Sequence, residues 1–189
     1  MTLLSARCPS CRRAVVGACC SCWPLAEPAP ISAGGRAALS FDGVAHDMIV
    51  GLKYFNARTV VRPLGDRIAA LVVANQIDVV TWAPTSARRL RRRGYDQAEL
   101  LARAVARQLD RPCRPLLRRS HRGPTQTGRS RFDRQHSPPE FRARRLWRAE
   151  RVLVIDDVLT TGATLRSAAA ALRSAGASSV IARAAAATP

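Results

Sequence analysis

Apolar residues follow two patterns along this chain. One is a continuous run, which is typical of buried strands, and the other is a spacing of three to four residues, which is typical of helices. Residues 152–155 are four apolar residues in a row, three of them β-branched, and residues 78–82 contain a second apolar run that Pro84 ends. Continuous apolar runs of this kind predict strands that are buried on both faces, as in parallel sheets. Further strands are predicted at residues 113–117, 141–147 and 179–184, with 141–147 at an edge.

Apolar residues with helical spacing fill the stretches between these strands. Helices are predicted over residues 41–54, from Pro63, over 98–109, and from Ala163 to a stop at Gly176. In the third of them, Ala98, Leu101, Val105 and Leu109 recur at intervals that place them on one face. Strands that alternate with helices predict an α/β domain whose mainly parallel sheet is flanked by helices.

A hydroxyl-rich loop follows the central apolar run. It consists of Thr160, Thr161, Gly162, Ala163 and Thr164, and the last predicted helix begins within it. Unpaired backbone N–H groups and the positive end of a helix dipole make such a loop a natural anion site. Because Gly162 has no Cβ, a phosphate can approach the backbone closely there.

Two carboxylates, Asp156 and Asp157, separate the apolar run from this loop. Their negative charges would repel a bare phosphate, so the ligand should also carry hydroxyl donors or a cation. A ribose 5-phosphate fits, with its 2- and 3-hydroxyls or Mg²⁺ facing the carboxylates. Since neighbouring strand residues point to opposite faces, both can serve one ligand only if the chain turns at Asp157. The alternative interpretation is an ordinary buried strand followed by polar turn residues.

Four cysteines near the start of the chain form two C-x₂-C pairs separated by seven residues: Cys8, Cys11, Cys19 and Cys22. This arrangement predicts a tetrahedral, structural Zn²⁺ site in a compact knuckle or ribbon. The neighbouring Cys20 is an extra thiol that can replace one ligand, and the alternative is a set of free or redox-active cysteines. Residues 24–36 are rich in Pro, Ala and Gly and are predicted to be a linker.

The chain of 189 residues has a net charge of +18, and Lys53 is the single lysine among its 31 basic residues. Abundant arginine favours phosphate and nucleic-acid partners, although coding bias explains such a composition equally well.

The densest cluster of arginines follows the second predicted strand and comprises Arg88, Arg89, Arg91, Arg92 and Arg93. It is predicted either to face the phosphate loop across the same sheet edge or to be a solvated basic loop. Residues 118–140 are arginine-rich without apolar periodicity, which indicates a functional lid or a disordered segment.

Length and hydropathy favour one main domain with a small appendage, and no apolar segment approaches the roughly 20 residues of a membrane-spanning helix. Residues 1–10 lack the apolar core of a signal peptide, so we expect a cytoplasmic protein without membrane insertion. Structural disulfides are not expected in that compartment.

Residues 152–164 resemble the phosphoribosyl pyrophosphate (PRPP) signature of type I phosphoribosyltransferases, in which an apolar run, two acids and a Thr/Gly-rich loop follow one another. With further motifs added, nearly the whole chain resembles the ComF family of competence-associated phosphoribosyltransferase-like proteins. Those motifs are the four cysteines, Leu52-Lys53-Tyr54, residues 92–98 (RRGYDQA), residues 124–128 (PTQTG) and residues 156–164. One departure is Ser137, which stands where the family often has an asparagine.

The resemblance implies a type I phosphoribosyltransferase fold over residues 37–189, preceded by a zinc-binding element and linker over 1–36. It implies that Asp156 and Asp157 are catalytic and that PRPP and Mg²⁺ are bound. We expect the loop residues 160–164 to hold the 5-phosphate, Arg88, Arg92 and Arg93 to neutralise the pyrophosphate, and residues 118–135 to close over it.

Two other functions remain open at this point. The first is single-stranded DNA binding on a non-catalytic transferase scaffold, with Trp82, Trp147 or Tyr95 as stacking surfaces and competence or DNA-uptake proteins as partners. The second is nucleobase salvage, for which no base pocket is recognisable in the sequence.

Overall fold

The apolar runs form the centre of a parallel sheet in the computed structural model, which describes residues 6–16, 19–34, 36–120 and 139–189. In chain order the elements are β1 Ala6–Arg7, β2 Ala14–Val15, β3 Ala37–Ser40, α1 Gly43–Phe55, α2 Val61–Ala69, β4 Val79–Trp82, α3 Ala87–Arg93, α4 Gln97–Leu109, β5 Leu117–Arg119, β6 Phe141–Ala143, β7 Arg151–Leu159, α5 Ala163–Ser174 and β8 Ser179–Ala187. Short 3₁₀ turns connect several of them.

The central sheet has four strands in the order β3–β8–β7–β4, and every pairing between them is parallel. Its middle strand β7 is buried on both faces, with Val152 and Val154 in one core cluster and Leu153 and Ile155 in the other. Helices α1, α2 and α4 contribute to the second cluster and α5 to the first. Helices thus cover both faces, which confirms the predicted α/β architecture.

Two predicted strands differ from the observed ones. In the stretch 113–117, Cys113 makes one parallel bridge with Val80, but Pro115 has no N–H to continue the ladder, and β5 begins only at Leu117. The predicted edge strand 141–147 ends at Ala143 and pairs with β5 in a separate antiparallel ribbon. Neither segment therefore extends the central sheet by a regular strand.

Two short elements differ from the prediction as well. β3 falls at the predicted boundary between linker and helix, where the residues are small and lack a long apolar run. The arginine cluster forms α3 rather than a loop: the Ser86 hydroxyl accepts from Arg89 N, and Gly94 ends the helix in the left-handed conformation. The solvated-loop interpretation of this cluster is therefore wrong.

The cysteine-rich segment packs directly on the main core. Cys8, Cys19 and Cys22 belong to the same cluster as helix α1, and the ring of Pro9 lies against Gly51. A Cβ on Gly51 would approach Pro9 to 2.7 Å, so the absence of a side chain there permits the contact. The knuckle and α1 consequently share one packed interface.

Candidate functional site

The carboxylates and the hydroxyl-rich loop lie at the end of β7, where α5 begins. Thr160 and Thr161 are exposed, and Gly162 adopts φ 74° immediately before the helix. The loop is closed by Arg166, whose Nη1 donates to Thr161 O over 2.7 Å. The first-turn N–H groups of α5 have no carbonyl of the preceding turn to bind, so this end of the helix suits an anion.

Asp157 is buried and engaged on both carboxylate oxygens. Its Oδ1 lies 3.1 Å from Lys53 Nζ, and its Oδ2 accepts a 2.7 Å hydrogen bond from Gln97 Nε2. Because β7 continues as a strand to Leu159, the chain does not turn at Asp157 as one ligand for both carboxylates would require. Asp157 instead points to the face that α1 and α4 cover.

Asp156 is half-buried, and its Oδ1 accepts a 2.8 Å hydrogen bond from the backbone N–H of Asp157. Burial, and next the charge of Asp157, raise the pKa of Asp156 well above its ordinary value. The anionic form is therefore costly in the protein alone. A cation or a hydroxyl donor beside this carboxylate would relieve that cost.

Asp96 is a third acid at this edge of the sheet, and it is buried. Its carboxylate caps α4 by accepting from Ala98 N over 3.0 Å, and it accepts from Thr85 N over 2.8 Å. Burial raises its pKa. These two bonds fix the turn after β4 against the start of α4, so Asp96 has a structural task here.

The arginines predicted to bind pyrophosphate have different positions on α3. Arg93 is half-buried, donates from Nη1 to Gln97 Oε1 over 2.8 Å, and lies 5.1 Å over the ring of Tyr54. Arg88 and Arg92 are exposed, and among the described residues neither forms an ion pair with the aspartates. The structure thus joins Arg93 to the acid pair and leaves the other two on the outer surface of α3.

Three residues of this edge were absent from the predicted set. Lys53 and Gln97 belong to quoted motifs, but the sequence shows no pairing between them and Asp157. Arg119, on β5, is half-buried, and burial, then the charge of Arg89, lower its pKa, while Asp156 opposes this shift. The one feature of the sequence that pointed to any of these three residues was Lys53, the single lysine in an arginine-rich chain.

Part of the predicted lid lies outside the described residues. This part is residues 121–135, which contain the PTQTG motif.

The four predicted metal ligands come together. The sulfur atoms of Cys8, Cys11, Cys19 and Cys22 all lie within 4.8 Å of one another, and Cys20 is exposed outside this group. Hydrogen bonding to the backbone at Cys22 and Ser21 lowers the pKa of Cys19 to about 7, whereas hydrogen bonding with Cys11 raises that of Cys22 to about 12. Four converging thiols suit a tetrahedral ion such as Zn²⁺.

The sheet order, the acid pair and the loop before α5 define a phosphoribosyltransferase-type domain. Residues 96–189, the C-terminal half of the chain, match the phosphoribosyl transferase domain family. The fold is that of the type I phosphoribosyltransferases, as predicted. No curated protein sequence matches the chain. Within the part of the chain that the structure describes, no helix has the length and apolar character needed to cross a membrane.

Solved structures similar to this chain include three nucleotide-related enzymes. Glutamine PRPP amidotransferase from B. subtilis, complexed with ADP and GMP, is 24% identical over 70% of this chain and 29% of that one, with TM-score 0.47. Purine phosphoribosyltransferase from Pyrococcus horikoshii is 18% identical over 64% and 68%, with TM-score 0.36. Adenine phosphoribosyltransferase from Leishmania donovani is 20% identical over 70% and 53%, with TM-score 0.38. The chain thus spans less than a third of the amidotransferase.

Proposed function

We propose that this protein binds PRPP with Mg²⁺ at the end of β7 and acts as a phosphoribosyltransferase of the ComF type. The observation that carries the proposal is the acid pair set directly before a threonine-rich loop at a helix N-terminus. This pair lies within the segment that matches the phosphoribosyl transferase domain. A phosphate end and a hydroxyl-binding end are therefore adjacent.

Each part of the site has a task in this proposal. The loop residues 160–164 hold the 5-phosphate through backbone N–H groups and hydroxyls, and the acid pair lies at the ribose end, with Asp156 as its more accessible carboxylate. Arg93, together with the more exposed Arg88 and Arg92, neutralises charge that develops on the departing pyrophosphate. The acceptor that attacks the anomeric carbon takes the place of the pyrophosphate in the bond to that carbon.

The donor set at Asp156 fits a hard cation. Carboxylate oxygens are the ligands that Mg²⁺ prefers, and among the described residues only the N–H of Asp157 donates to this carboxylate. Its raised pKa means that a nearby cation would be favourable. Mg²⁺ bound with PRPP would supply charge neutralisation for the phosphates, and Asp156 would hold it on the ribose side.

The ComF assignment and the link to DNA uptake rest on the five sequence motifs. The gathering of the four cysteines supports this proposal, because the N-terminal zinc element is one of those motifs. A cytoplasmic location and competence-related protein partners belong to the same proposal.

Calorimetric titration with PRPP and Mg²⁺ tests the central claim. We expect Mg²⁺-dependent binding that Asp156→Asn abolishes while the variant keeps its circular dichroism spectrum. Asp78→Asn is the matched control, because Asp78 pairs with Arg151 where β7 begins, at the other edge of the sheet. Absence of binding by folded, zinc-loaded protein would overturn the proposal. Product formation with a panel of free bases would separate nucleobase salvage from other acceptors.

A second function is favoured by a basic surface away from this site. The segment 144–150, with Arg114 and Leu116, borders a cavity of about 460 Å³, and Trp147 beside it is 92% exposed. A second cavity of about 810 Å³ shares Arg145 and Leu146 with the first, so the two cavities adjoin, and together they are called the basic groove below. An extended basic groove with an exposed aromatic ring suits single-stranded nucleic acid.

The charges of this groove support the same interpretation. Glu150 is its one acid and is bonded to Arg114, whereas Arg144, Arg145 and Arg148 form no ion pair within the described residues. The other proposed stacking surfaces differ from Trp147. Trp82 is buried, and the hydroxyl of Tyr95 donates to Leu52 O while Arg58 covers its ring. The prediction that Trp82 is a stacking surface is therefore wrong.

Fluorescence anisotropy with labelled oligo-dT at several salt concentrations tests this second function. We expect affinity that falls steeply with salt, and a further loss of roughly tenfold for Trp147→Ala. Phe55→Ala removes another exposed aromatic side chain, on α1, and serves as the control. Equal affinity of the wild type and Trp147→Ala would show that this groove is not the nucleic-acid surface.

A further inference from the structure

A cavity of about 370 Å³ lies between the cysteine knuckle and the end of α1, and we call it the knuckle cavity. Its lining residues come from the segments 6–12, 47–55 and 56–58. It shares no lining residue with the basic groove, and neither the acid pair nor the loop before α5 borders it. Its volume lies within the range of cavities that bind ligands.

The knuckle cavity is positively charged. Three arginines and one acid line it: Arg7, Arg12, Arg58 and Asp47. Within the described residues, none of the three arginines forms an ion pair. Arg7 Nη1 donates to Arg12 O over 3.2 Å, and Arg58 Nε donates to Asn56 Oδ1 over 2.8 Å. A carboxylate that enters the cavity would therefore meet guanidinium groups that are already partly oriented.

The other walls of the knuckle cavity are apolar. Pro9, Val50 and Ala57 border it, and so does Phe55, which is 70% exposed. Arginine and aromatic side chains are enriched in protein interfaces, and truncating them often costs the most affinity. These walls suit an apolar side chain of a ligand, and the arginines suit carboxylates beside it.

Asp47 favours a peptide over a nucleic acid as the ligand. Its carboxylate is partly exposed and has one neighbour, His46, whose Nδ1 lies 3.4 Å from Asp47 Oδ1. A phosphate chain would bring negative charge against this carboxylate, whereas a peptide backbone offers it N–H donors. This chain contains no suitable acidic peptide, because its 13 acidic residues include no run longer than Asp156 and Asp157 at the end of β7.

We propose that the knuckle cavity binds an acidic segment of a partner protein, with one apolar side chain of that segment inserted into the cavity. Carboxylates beside the inserted residue pair with Arg7, Arg12 and Arg58, and the inserted side chain packs against Phe55. Because the surface is separate from the PRPP site and from the basic groove, this binding does not depend on either of them.

Fluorescence anisotropy with synthetic peptides tests this inference on the full chain. The labelled probe carries one leucine with two glutamates on each side; in two comparison peptides, glutamine replaces every glutamate or glycine replaces the leucine. We expect the wild type to bind the probe roughly tenfold more tightly than either comparison peptide. Phe55→Ala and Arg12→Gln should each weaken binding of the probe by roughly tenfold while keeping the circular dichroism spectrum. Arg107→Gln, which removes an exposed arginine of α4 outside the cavity, should change the affinity by less than about twofold.

The basic groove provides a second comparison. Trp147→Ala should leave the affinity for the probe unchanged, and unlabelled oligo-dT should not displace the probe. Equal affinity of the wild type for the probe and the glutamine peptide would overturn the inference, and so would equal affinity of the wild type and Phe55→Ala for the probe. Displacement by oligo-dT, together with weaker oligo-dT binding by Phe55→Ala, would assign the cavity to the nucleic-acid surface instead. Failure of PRPP binding appears in a separate titration and leaves these peptide results unaffected.

Discussion

Lys53 Nζ lies 3.1 Å from Asp157 Oδ1, and this ion pair fastens the end of α1 to the end of β7. The two side chains are 18% and 11% exposed, so water screens the pair only partly. Lys53 Nζ also lies 5.9 Å from the centre of the ring of Phe41, which stands between β3 and α1. Most of the cost of losing one partner would come from the charge that remains buried without its neighbour.

We therefore expect Lys53→Met to lower the free energy of unfolding by about 1–3 kcal/mol, less than for a fully buried pair. Urea denaturation measures this loss. A double-mutant cycle with Asp157→Asn isolates the pairing, and we expect a coupling energy of about 0.5–3 kcal/mol. Additive effects of the two substitutions would show that the pair contributes nothing by itself.

Asp156 should make the protein less stable as the pH rises. Burial and the charge of Asp157 raise its folded pKa above the ordinary 3.8, so above that pH the folded state binds more protons than the unfolded state. The free energy of unfolding then decreases from about pH 4 upward, until the pH has passed the pKa of Asp156 in the folded state. Asp156→Asn should melt at a higher temperature than the wild type at neutral pH, by about 2–4 °C for each kcal/mol gained. A melting difference between the two proteins that is independent of pH would contradict this explanation.

Asp78 should change the pH dependence of stability in the opposite direction from Asp156. Hydrogen bonds from the Arg151 side chain and backbone lower the pKa of Asp78 to about 2. The stability that it contributes is present above pH 3.8 and is lost as the pH falls towards 2. Asp78→Asn should therefore be slightly less stable than the wild type at neutral pH, and the two melting curves should converge below about pH 2. Because this pair is exposed, we expect the effect to be small.

The parts of the fold that the sequence predicted are those with a strong local signal. β7 has four successive apolar residues, and strand or turn propensity alone does not account for the acids and threonines after it. β3 escaped prediction because Ala37–Ser40 becomes a strand only through its pairing with β8. The sequence around α3 does contain helix boundaries, an N-cap at Ser86 and Gly94 eight residues later. They were overlooked because the run of arginines has no apolar face that would indicate a helix.

The side-chain network of the site was beyond the sequence for a different reason. Lys53, Gln97 and Asp157 come from α1, α4 and β7, and only the packing of both helices on one face of the sheet brings them together. Sequence spacing predicts which residues share an element face, but it does not predict which polar groups from separate elements will pair.

Zinc loading should distinguish Cys22 from Cys20. The sulfur of Cys22 lies within 4.8 Å of the other three, whereas Cys20 is exposed and outside the cluster. We expect about one Zn²⁺ per chain by mass spectrometry of metals in the wild type and in Cys20→Ser, and a large loss in Cys22→Ser. The melting temperature should fall only for Cys22→Ser, since metal binding contributes to folding. Zinc loss in Cys20→Ser would instead place Cys20 among the ligands.

The contact between Gly51 and Pro9 should couple the cysteine knuckle to α1. A glycine-to-alanine change inside a helix ordinarily stabilises by up to about 1 kcal/mol, but here the new Cβ would lie 2.7 Å from Cβ and Cγ of Pro9. We expect Gly51→Ala to destabilise by about 1–3 kcal/mol and to accelerate zinc release to a chelator, because the knuckle must move away.

Gly65→Ala is the matched control for this prediction. Its Cβ would lie 2.6 Å from Ala104 Cβ, so it forces α2 and α4 apart without touching the knuckle. It should lower stability to a similar extent and leave the rate of zinc release from folded protein unchanged. Pro9→Gly removes the two proline atoms that lie closest to the new Cβ of Gly51→Ala and should restore slow zinc release in the double variant. Equal acceleration of zinc release by Gly51→Ala and Gly65→Ala would show that the knuckle responds to global stability rather than to this contact.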